Sequence, residues 1–215
     1  MKYKIGYVDE DESDISRFYH KFIKKYDERY QIIEFTPKPS LDELIEEIIN
    51  SDLDVLVVDF QLNEYKNLGY KGHSVVERIK ELRFGFPCVL LTSYPVDAIE
   101  NSLDTYIVYD KDVAFGNEEK SKDLFELQIK QSIEHYKKGL KSAEEEFARL
   151  SRLDDLTLKQ EERLIELDDI LESSIDNKHK LPSHLKKSKH IKNVESLVKD
   201  TQSLISELKK LNSEK

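Results

Sequence analysis

The sequence is poor in cysteine and in the residues that interrupt regular structure. Among its 215 residues there is one cysteine and no tryptophan, with six glycines and five prolines. A single cysteine excludes both a disulfide framework within the chain and a metal site built from cysteines. Cys88 lies in the apolar run from Pro87 to Leu91, where we expect a small buried side chain.

Long apolar stretches are also absent. Residues 1–13 place no apolar segment behind their lysines, which argues against a signal peptide. No segment approaches the about 20 apolar residues that cross a bilayer. We therefore expect a cytoplasmic protein that does not associate with membranes.

Charge is abundant. Charged residues make up 36% of the chain, hydrophobic residues only 38%, and the net charge is −10. Such an acidic chain is repelled by phosphate backbones, so general nucleic-acid binding is disfavoured. The composition is typical of a globular domain joined to long solvated helices.

The first half of the chain alternates between strand and helix patterns. Strands are predicted at residues 3–8, 30–35, 54–59, 87–92 and 106–109. Between them, helices are predicted after a cap at Ser13, at 41–49, at 75–82 and at 96–103. This alternation favours right-handed βαβ units, and so an α/β fold with a doubly wound, five-stranded parallel sheet. We place this domain at residues 1–117.

Residues 118–215 show helical periodicity instead. Three helices are predicted: the first contains Ile129, Ile133 and Phe147, the second opens with a capping box at Thr157–Gln160, and the third follows Pro182. Their apolar residues recur at three- and four-residue intervals. We therefore predict a helical hairpin or coiled-coil extension.

Polar residues cluster where the predicted strands end. These residues are Asp9 and Glu10, Asp59, Thr92 and Ser93, and Lys111. Because ligands of parallel sheets bind beyond the carboxyl ends of the strands, we expect these side chains to meet at one edge. Neighbouring carboxylates repel one another, so a divalent cation is expected, and oxygen ligands suit Mg²⁺.

This set resembles the receiver domains of two-component signalling over about residues 1–117. Lys4–Glu12 resembles the first strand and acidic pair of that family, and Val55–Asp59 resembles its phosphoacceptor strand. Val89–Ser93 resembles the switch strand, and Lys111-Asp112 contains the lysine that closes the site. The resemblance implies a flavodoxin-like strand order, 2-1-3-4-5.

The resemblance also implies a role for each site residue. Asp59 would accept a phosphoryl group from a sensor histidine kinase or a phosphotransfer protein. Lys111 and Thr92, with Ser93 beside it, would bind phosphoryl oxygens. The implied ligands of Mg²⁺ are Asp9, Glu10, Asp59 and the backbone carbonyl of Gln61.

The sequence departs from the receiver pattern in three places. The loop after Asp59 is long and lacks the expected proline, Asp112 follows Lys111 in place of a proline, and Val108 stands where an aromatic switch residue is expected. One alternative is therefore a degenerate receiver that acts as a phosphorylation-independent coiled-coil scaffold. Another, a magnesium-dependent phosphatase, would need a second carboxylate at the position of Gln61.

The extension contains no helix-turn-helix pattern, so we expect no DNA-binding domain and no enzymatic activity. Its output would be contact with a downstream protein, as an adaptor, a phosphate relay or a phosphate sink, and it could also form a homodimer. His135-Tyr-Lys-Lys-Gly139 has the spacing of a phosphotransfer histidine, but a surface histidine is favoured. The lysine-rich stretch 178–192 is interpreted as a solvated helix start.

Overall fold

The computed structural model describes residues 2–62, 68–101, 107–153 and 155–175. The strands are β1 (Tyr3–Val8), β2 (Tyr30–Phe35), β3 (Val55–Asp59), β4 (Cys88–Thr92) and β5 (Val108–Asp110). The helices are α1 (Glu12–Phe18, continued by π-helical Tyr19–Ile23), α2 (Leu41–Ile49), α3 (Gly72–Leu82), α4 (Pro95–Asn101), α5 (Lys111–Phe115), α6 (Glu119–Leu150) and α7 (Leu158–Ile175). No helix in these ranges combines the length and apolarity needed to cross a membrane.

The five strands form one sheet in the order β2-β1-β3-β4-β5, and every neighbouring pair is parallel. All residues of β3 and β4 are buried, which explains their continuous apolar sequences, since a central parallel strand is covered on both faces. The predicted doubly wound, flavodoxin-like fold with order 2-1-3-4-5 is confirmed. The strand order reverses between β1 and β3, so a ligand crevice is expected beside their carboxyl ends.

Two apolar layers cover the sheet. On one face, α2 and α3 bury residues such as Leu44 and Val75 against β3 and β4. On the other face, α1, α5 and the first turns of α6 bury aromatic residues such as Phe18, Phe115 and Phe125. The beginning of α6 therefore contributes to the core of the sheet domain.

The chain divides into two compact units, residues 1–140 and 141–215, and α6 runs through both. In the second unit the end of α6 packs on α7 through Ala143, Leu150 and Leu167. The backbone N–H of Thr157 donates to the Gln160 side chain over 2.9 Å, as half of the predicted capping box requires.

A helical extension is thus present in α6 and α7. Its coiled-coil geometry stays a prediction, as does the functional boundary after residue 117. The helix predicted after Pro182 and the basic stretch 178–192 lie outside the described residues.

The prediction that Ser13 caps the first helix is wrong. Asp11 is the N-cap, because its side chain accepts a hydrogen bond from the backbone N–H of Ser13 over 2.8 Å. Aspartate is as good an N-cap as serine, and here it starts the helix two residues earlier than Ser13 would. The short helix α5, which begins at Lys111, was not predicted at all.

Candidate functional site

An open cavity of about 130 Å³ lies at the carboxyl edge of the sheet. The structure brings all seven predicted site residues together in its wall, along with three that the sequence analysis did not single out. The predicted seven are Asp9, Glu10, Asp59, Gln61, Thr92, Ser93 and Lys111, and the additional three are Asp11, Asp14 and Tyr94.

The register of the strands places the charged side chains next to one another at the carboxyl edge of the sheet. Val8 pairs with Val58, so Asp9 and Asp59, which follow these residues, lie side by side at the ends of β1 and β3. Asp59 itself pairs with Leu91, the residue before Thr92. Lys111 comes directly after β5 as the first residue of α5. Four adjacent strands therefore each deliver one functional side chain to the same edge.

Gly72 allows α3 to begin close to the site. A Cβ at this position would lie 1.9 Å from the backbone carbonyl oxygen of Asp59, so no other residue can stand there without moving the backbone. The Gly72 N–H also donates to the Phe60 carbonyl over 2.9 Å. The long loop after Asp59 is thereby closed against the end of β3.

Lys111 is the centre of the charged groups. Its Nζ lies 2.7 Å from Asp59 Oδ1, 2.6 Å from Asp14 Oδ2 and 3.5 Å from Asp9 Oδ2. Asp9, Asp59 and Lys111 are all buried, at 2%, 5% and 9% exposure. Three carboxyl groups thus face one ammonium group in a place that water reaches poorly.

The burial of these groups changes their protonation equilibria. Burial, together with the neighbouring Asp59, raises the pKa of Asp9 to about 6. Burial also raises the pKa of Asp59, and the Lys111 ammonium only partly offsets this effect. Burial alone would lower the pKa of Lys111, but the Asp59 and Asp9 carboxylates outweigh it and raise that pKa above its ordinary value. Lys111 is therefore fully protonated at neutral pH.

The remaining polar contacts orient the phosphoacceptor candidate and the hydroxyl beside it. The Gln61 backbone N–H donates to Asp59 Oδ2 over 2.9 Å, which fixes the carboxyl plane. Thr92 Oγ1 accepts a hydrogen bond from the Tyr94 N–H over 2.9 Å, and so its own hydrogen can be donated into the cavity. Thr92 is 1% exposed, whereas Ser93 is exposed at the rim.

The oxygen atoms in the cavity wall are of the kind that bind a hard cation such as Mg²⁺. The cavity wall offers carboxyl oxygens and backbone carbonyls, and its acidic groups outnumber its lysine. In the described part of the chain no three acidic, histidine or cysteine side chains form a ready-made metal cage. Mg²⁺ does not need one, because it keeps several waters and is commonly held by one or two carboxylates. Asp9 and Asp59, which lie side by side, are the residues that would hold it.

Two residues contact the charged groups of the site although the sequence analysis gave them no role there. Asp14 lies in the first turn of α1 and binds Lys111, although no strand ends near it in the sequence. The buried Tyr7 hydroxyl donates to Asp9 Oδ2 over 3.0 Å. Residue 7 is two positions before Asp9 and so on the same side of the strand, which was the available signal.

No family model and no curated protein matches the chain. Among solved structures, NtrX from Brucella abortus, in complex with ADP, overlaps with a TM-score of 0.43 and 18% identity; the overlap covers 77% of this chain and 34% of NtrX. RcsB, a response regulator of Salmonella typhimurium, overlaps with a TM-score of 0.43 and 15% identity, over 79% of this chain and 92% of that one. The chain thus spans about a third of the length of NtrX.

The strand order, the helices on both faces and the position of the cavity define the class of the sheet domain: it is a doubly wound, flavodoxin-like domain.

Proposed function

We propose that Asp59 accepts a phosphoryl group with the help of Mg²⁺, and that the domain is a signalling switch and not a turnover enzyme. The observation that carries this proposal is the Lys111 ammonium, 2.7 Å from Asp59 Oδ1 beside an open cavity. A buried carboxylate, an ammonium and a hydroxyl that face one cavity are the groups that phosphoryl transfer requires.

In the transfer step, the chain supplies the attacking carboxylate and two hydrogen-bond donors from the cavity wall. A carboxylate oxygen of Asp59 attacks phosphorus and forms an O–P bond, while the bond from phosphorus to the donor breaks and the donor atom keeps the electron pair. A proton from solvent then neutralises the leaving group. Lys111 and the Thr92 hydroxyl donate hydrogen bonds to the phosphoryl oxygens as charge develops on them.

Asp9 and Asp59 would hold the magnesium ion, with Glu10 and the Gln61 carbonyl at the same wall. The chemistry supplied by this ion is neutralisation of charge on the transferring oxygens. Its charge would also offset the two causes that raise the pKa of Asp9, which are burial and the neighbouring Asp59 carboxylate. The buried acidic groups destabilise the ion-free protein, and this same negative charge would favour binding of the cation.

The donor would be a sensor histidine kinase or a phosphotransfer protein, and the output would be a protein contact of the helical extension. Phosphorylation would draw Thr92 towards the new phosphoryl group and shift Lys111 from the Asp59 carboxylate to a phosphoryl oxygen, which would move the ends of β4 and β5. Because α5 begins at Lys111 and α6 follows within four residues of its end, this movement can reach the extension. A second copy of the chain is one partner that would detect it.

The test is phosphorylation of the full chain with acetyl phosphate and MgCl₂, followed by intact mass measurement. We expect one added phosphate that hydroxylamine removes, because an acyl phosphate is cleaved by this nucleophile. Asp59→Asn should abolish the adduct, and EDTA should prevent it. Asp42→Asn, an exposed aspartate in the first turn of α2, is the matched control and should leave the adduct unchanged.

An unmodified wild-type chain, or an adduct that persists in Asp59→Asn, would contradict the proposal. The first result would favour the alternative of a scaffold that assembles partners without phosphate. Light scattering of the treated and untreated chain would then report whether the extension forms a homodimer in either state.

A further inference from the structure

Asp14 adds a carboxyl group to the cavity from a helix and not from a strand end. It lies in the first turn of α1, its side chain is 13% exposed, and its Oδ2 lies 2.6 Å from Lys111 Nζ. This contact is as short as the 2.7 Å contact between Lys111 and Asp59. Asp14 therefore shares the ammonium group equally with the phosphoacceptor candidate.

The sharing limits what Lys111 can offer to a phosphoryl group. An ammonium carries three N–H donors, and here one is directed at Asp59 and one at Asp14. A phosphoryl group on Asp59 has to compete with the Asp14 carboxylate for the same nitrogen. The Asp14 charge also repels the phosphoryl oxygens directly, and within a poorly hydrated site this repulsion is only weakly screened.

Asp14 is held in this position from its other side. Its Oδ1 accepts a hydrogen bond from Arg17 over 2.9 Å, and the Arg17 guanidinium lies 5.1 Å from the centre of the Phe115 ring. Each carboxyl oxygen of Asp14 thus has its own cationic partner. The carboxyl group is oriented towards Lys111 and does not turn out to solvent.

We propose that Asp14 is a positioning residue that sets the preference of the cavity between cation and anion. Its carboxylate favours a divalent cation, and by holding Lys111 it disfavours the phosphoryl group. This inference rests on the proposed phosphorylation of Asp59. A residue of α1, and not only the residues at the strand ends, would then influence how readily Asp59 is phosphorylated.

The test compares Asp14→Asn with the wild type on two ligands of opposite charge. Calorimetric titration with MgCl₂ alone should show a dissociation constant about threefold to tenfold higher in the variant, because one negative charge is lost. At saturating Mg²⁺, the concentration of acetyl phosphate that gives half-maximal modification should fall by a similar factor. Damage to the fold would weaken both Mg²⁺ binding and phosphorylation. Weaker Mg²⁺ binding together with easier phosphorylation therefore identifies the positioning role of Asp14.

Two further variants complete the design. Glu12→Gln makes the same charge change in the same turn of α1 on an exposed side chain outside the cavity wall, and should behave as the wild type. Asp14→Glu restores the charge and should return both values towards those of the wild type. The inference is overturned if Asp14→Asn matches Glu12→Gln, or if it weakens both ligands. A wild type that binds neither Mg²⁺ nor phosphate would instead reject the proposed function itself, and this inference with it.

Discussion

Two groups of charged residues in the sheet domain are built from the same kinds of side chain and behave differently. The first, here called the acidic cluster, consists of Asp9, Asp14, Asp59 and Lys111 at the edge of the sheet. The second, here called the docking cluster, joins the segment after α1 to α6. Its members are Lys25, Arg29 and Lys122 with Glu119, Asp123 and Glu126.

The docking cluster is balanced in charge. Three cationic side chains face three acidic ones, and Glu126, which is buried, accepts from both Arg29 over 2.7 Å and the Tyr30 hydroxyl over 3.0 Å. Most of the other pairs lie at the surface, where an ion pair contributes little to stability. This arrangement orients α6 at a low energetic cost.

The acidic cluster has three carboxyl groups that share the Lys111 ammonium, and Arg17 adds a second cationic partner for Asp14 alone. Asp9, Asp59 and Lys111 are buried, and an excess of buried negative charge is expensive for the folded state. The difference between the two clusters agrees with the proposed function: the balanced cluster holds a helix, and the unbalanced cluster is where the proposed Mg²⁺ would bind.

The largest expected effect comes from removing the ammonium group of Lys111, which all three carboxyl groups of the acidic cluster share. Lys111→Met keeps the length of the side chain but leaves the three carboxyl groups facing one another. We expect the free energy of unfolding in EDTA at about pH 7.5 to fall by about 3 kcal/mol. Urea unfolding followed by circular dichroism measures this change.

Acidic conditions provide the control for Lys111→Met. At about pH 5 Asp9, whose pKa is about 6 in the wild type, takes up a proton, which relieves part of the repulsion, so the loss should shrink. An equal loss at both pH values would mean that Lys111 matters for packing and not for charge, and would remove the contrast with the docking cluster.

A gain in stability is expected from Asp9→Asn. The pKa of Asp9 is raised from 3.8 to about 6, so the folded state binds this proton more tightly than the unfolded state does. Its contribution to stability is therefore complete below about pH 4 and is lost as the pH rises to about 6. The amide lacks the charge, and in EDTA at about pH 7.5 the variant should gain on the order of 2 kcal/mol.

The same variant should show almost no gain at about pH 4, where Asp9 is protonated in the folded wild type. Urea unfolding at the two pH values tests the sign. A loss of stability at about pH 7.5 would show that the hydrogen bonds of Asp9 with Tyr7 and the Asp11 N–H outweigh the cost of its charge.

The sequence was sufficient for the central strands and for the residues at their ends. In β3 and β4 every residue is buried, so the apolar runs are unambiguous, and a parallel sheet brings strand ends together. Asp59, Thr92 and Lys111 were therefore predictable without any knowledge of packing. The strand order followed from the resemblance and is confirmed by the sheet.

Helix contributions to the site were not predictable in the same way. Asp14 reaches Lys111 from the first turn of α1, and the side of that helix that faces the sheet is set by packing. The helix α5 has five residues, too few for a periodic pattern, and only its N-cap, Asp110, was available as a signal. Whether a short helix forms, and which side of a helix faces the site, both depend on tertiary packing that the pattern of a single sequence does not reveal.

The smallest expected effect tests the docking cluster. Lys25 pairs with Glu119 and Asp123, over 2.5 Å and 2.7 Å, through partners that are mostly exposed. Lys25→Gln should therefore lower the free energy of unfolding by at most about 0.5 kcal/mol, and by less in high salt, because water and ions already screen these pairs. Urea unfolding with and without NaCl measures the change. A loss as large as that of Lys111→Met would mean that α6 is held mainly by charge, and the number of ion pairs would then matter more in this domain than their burial or balance.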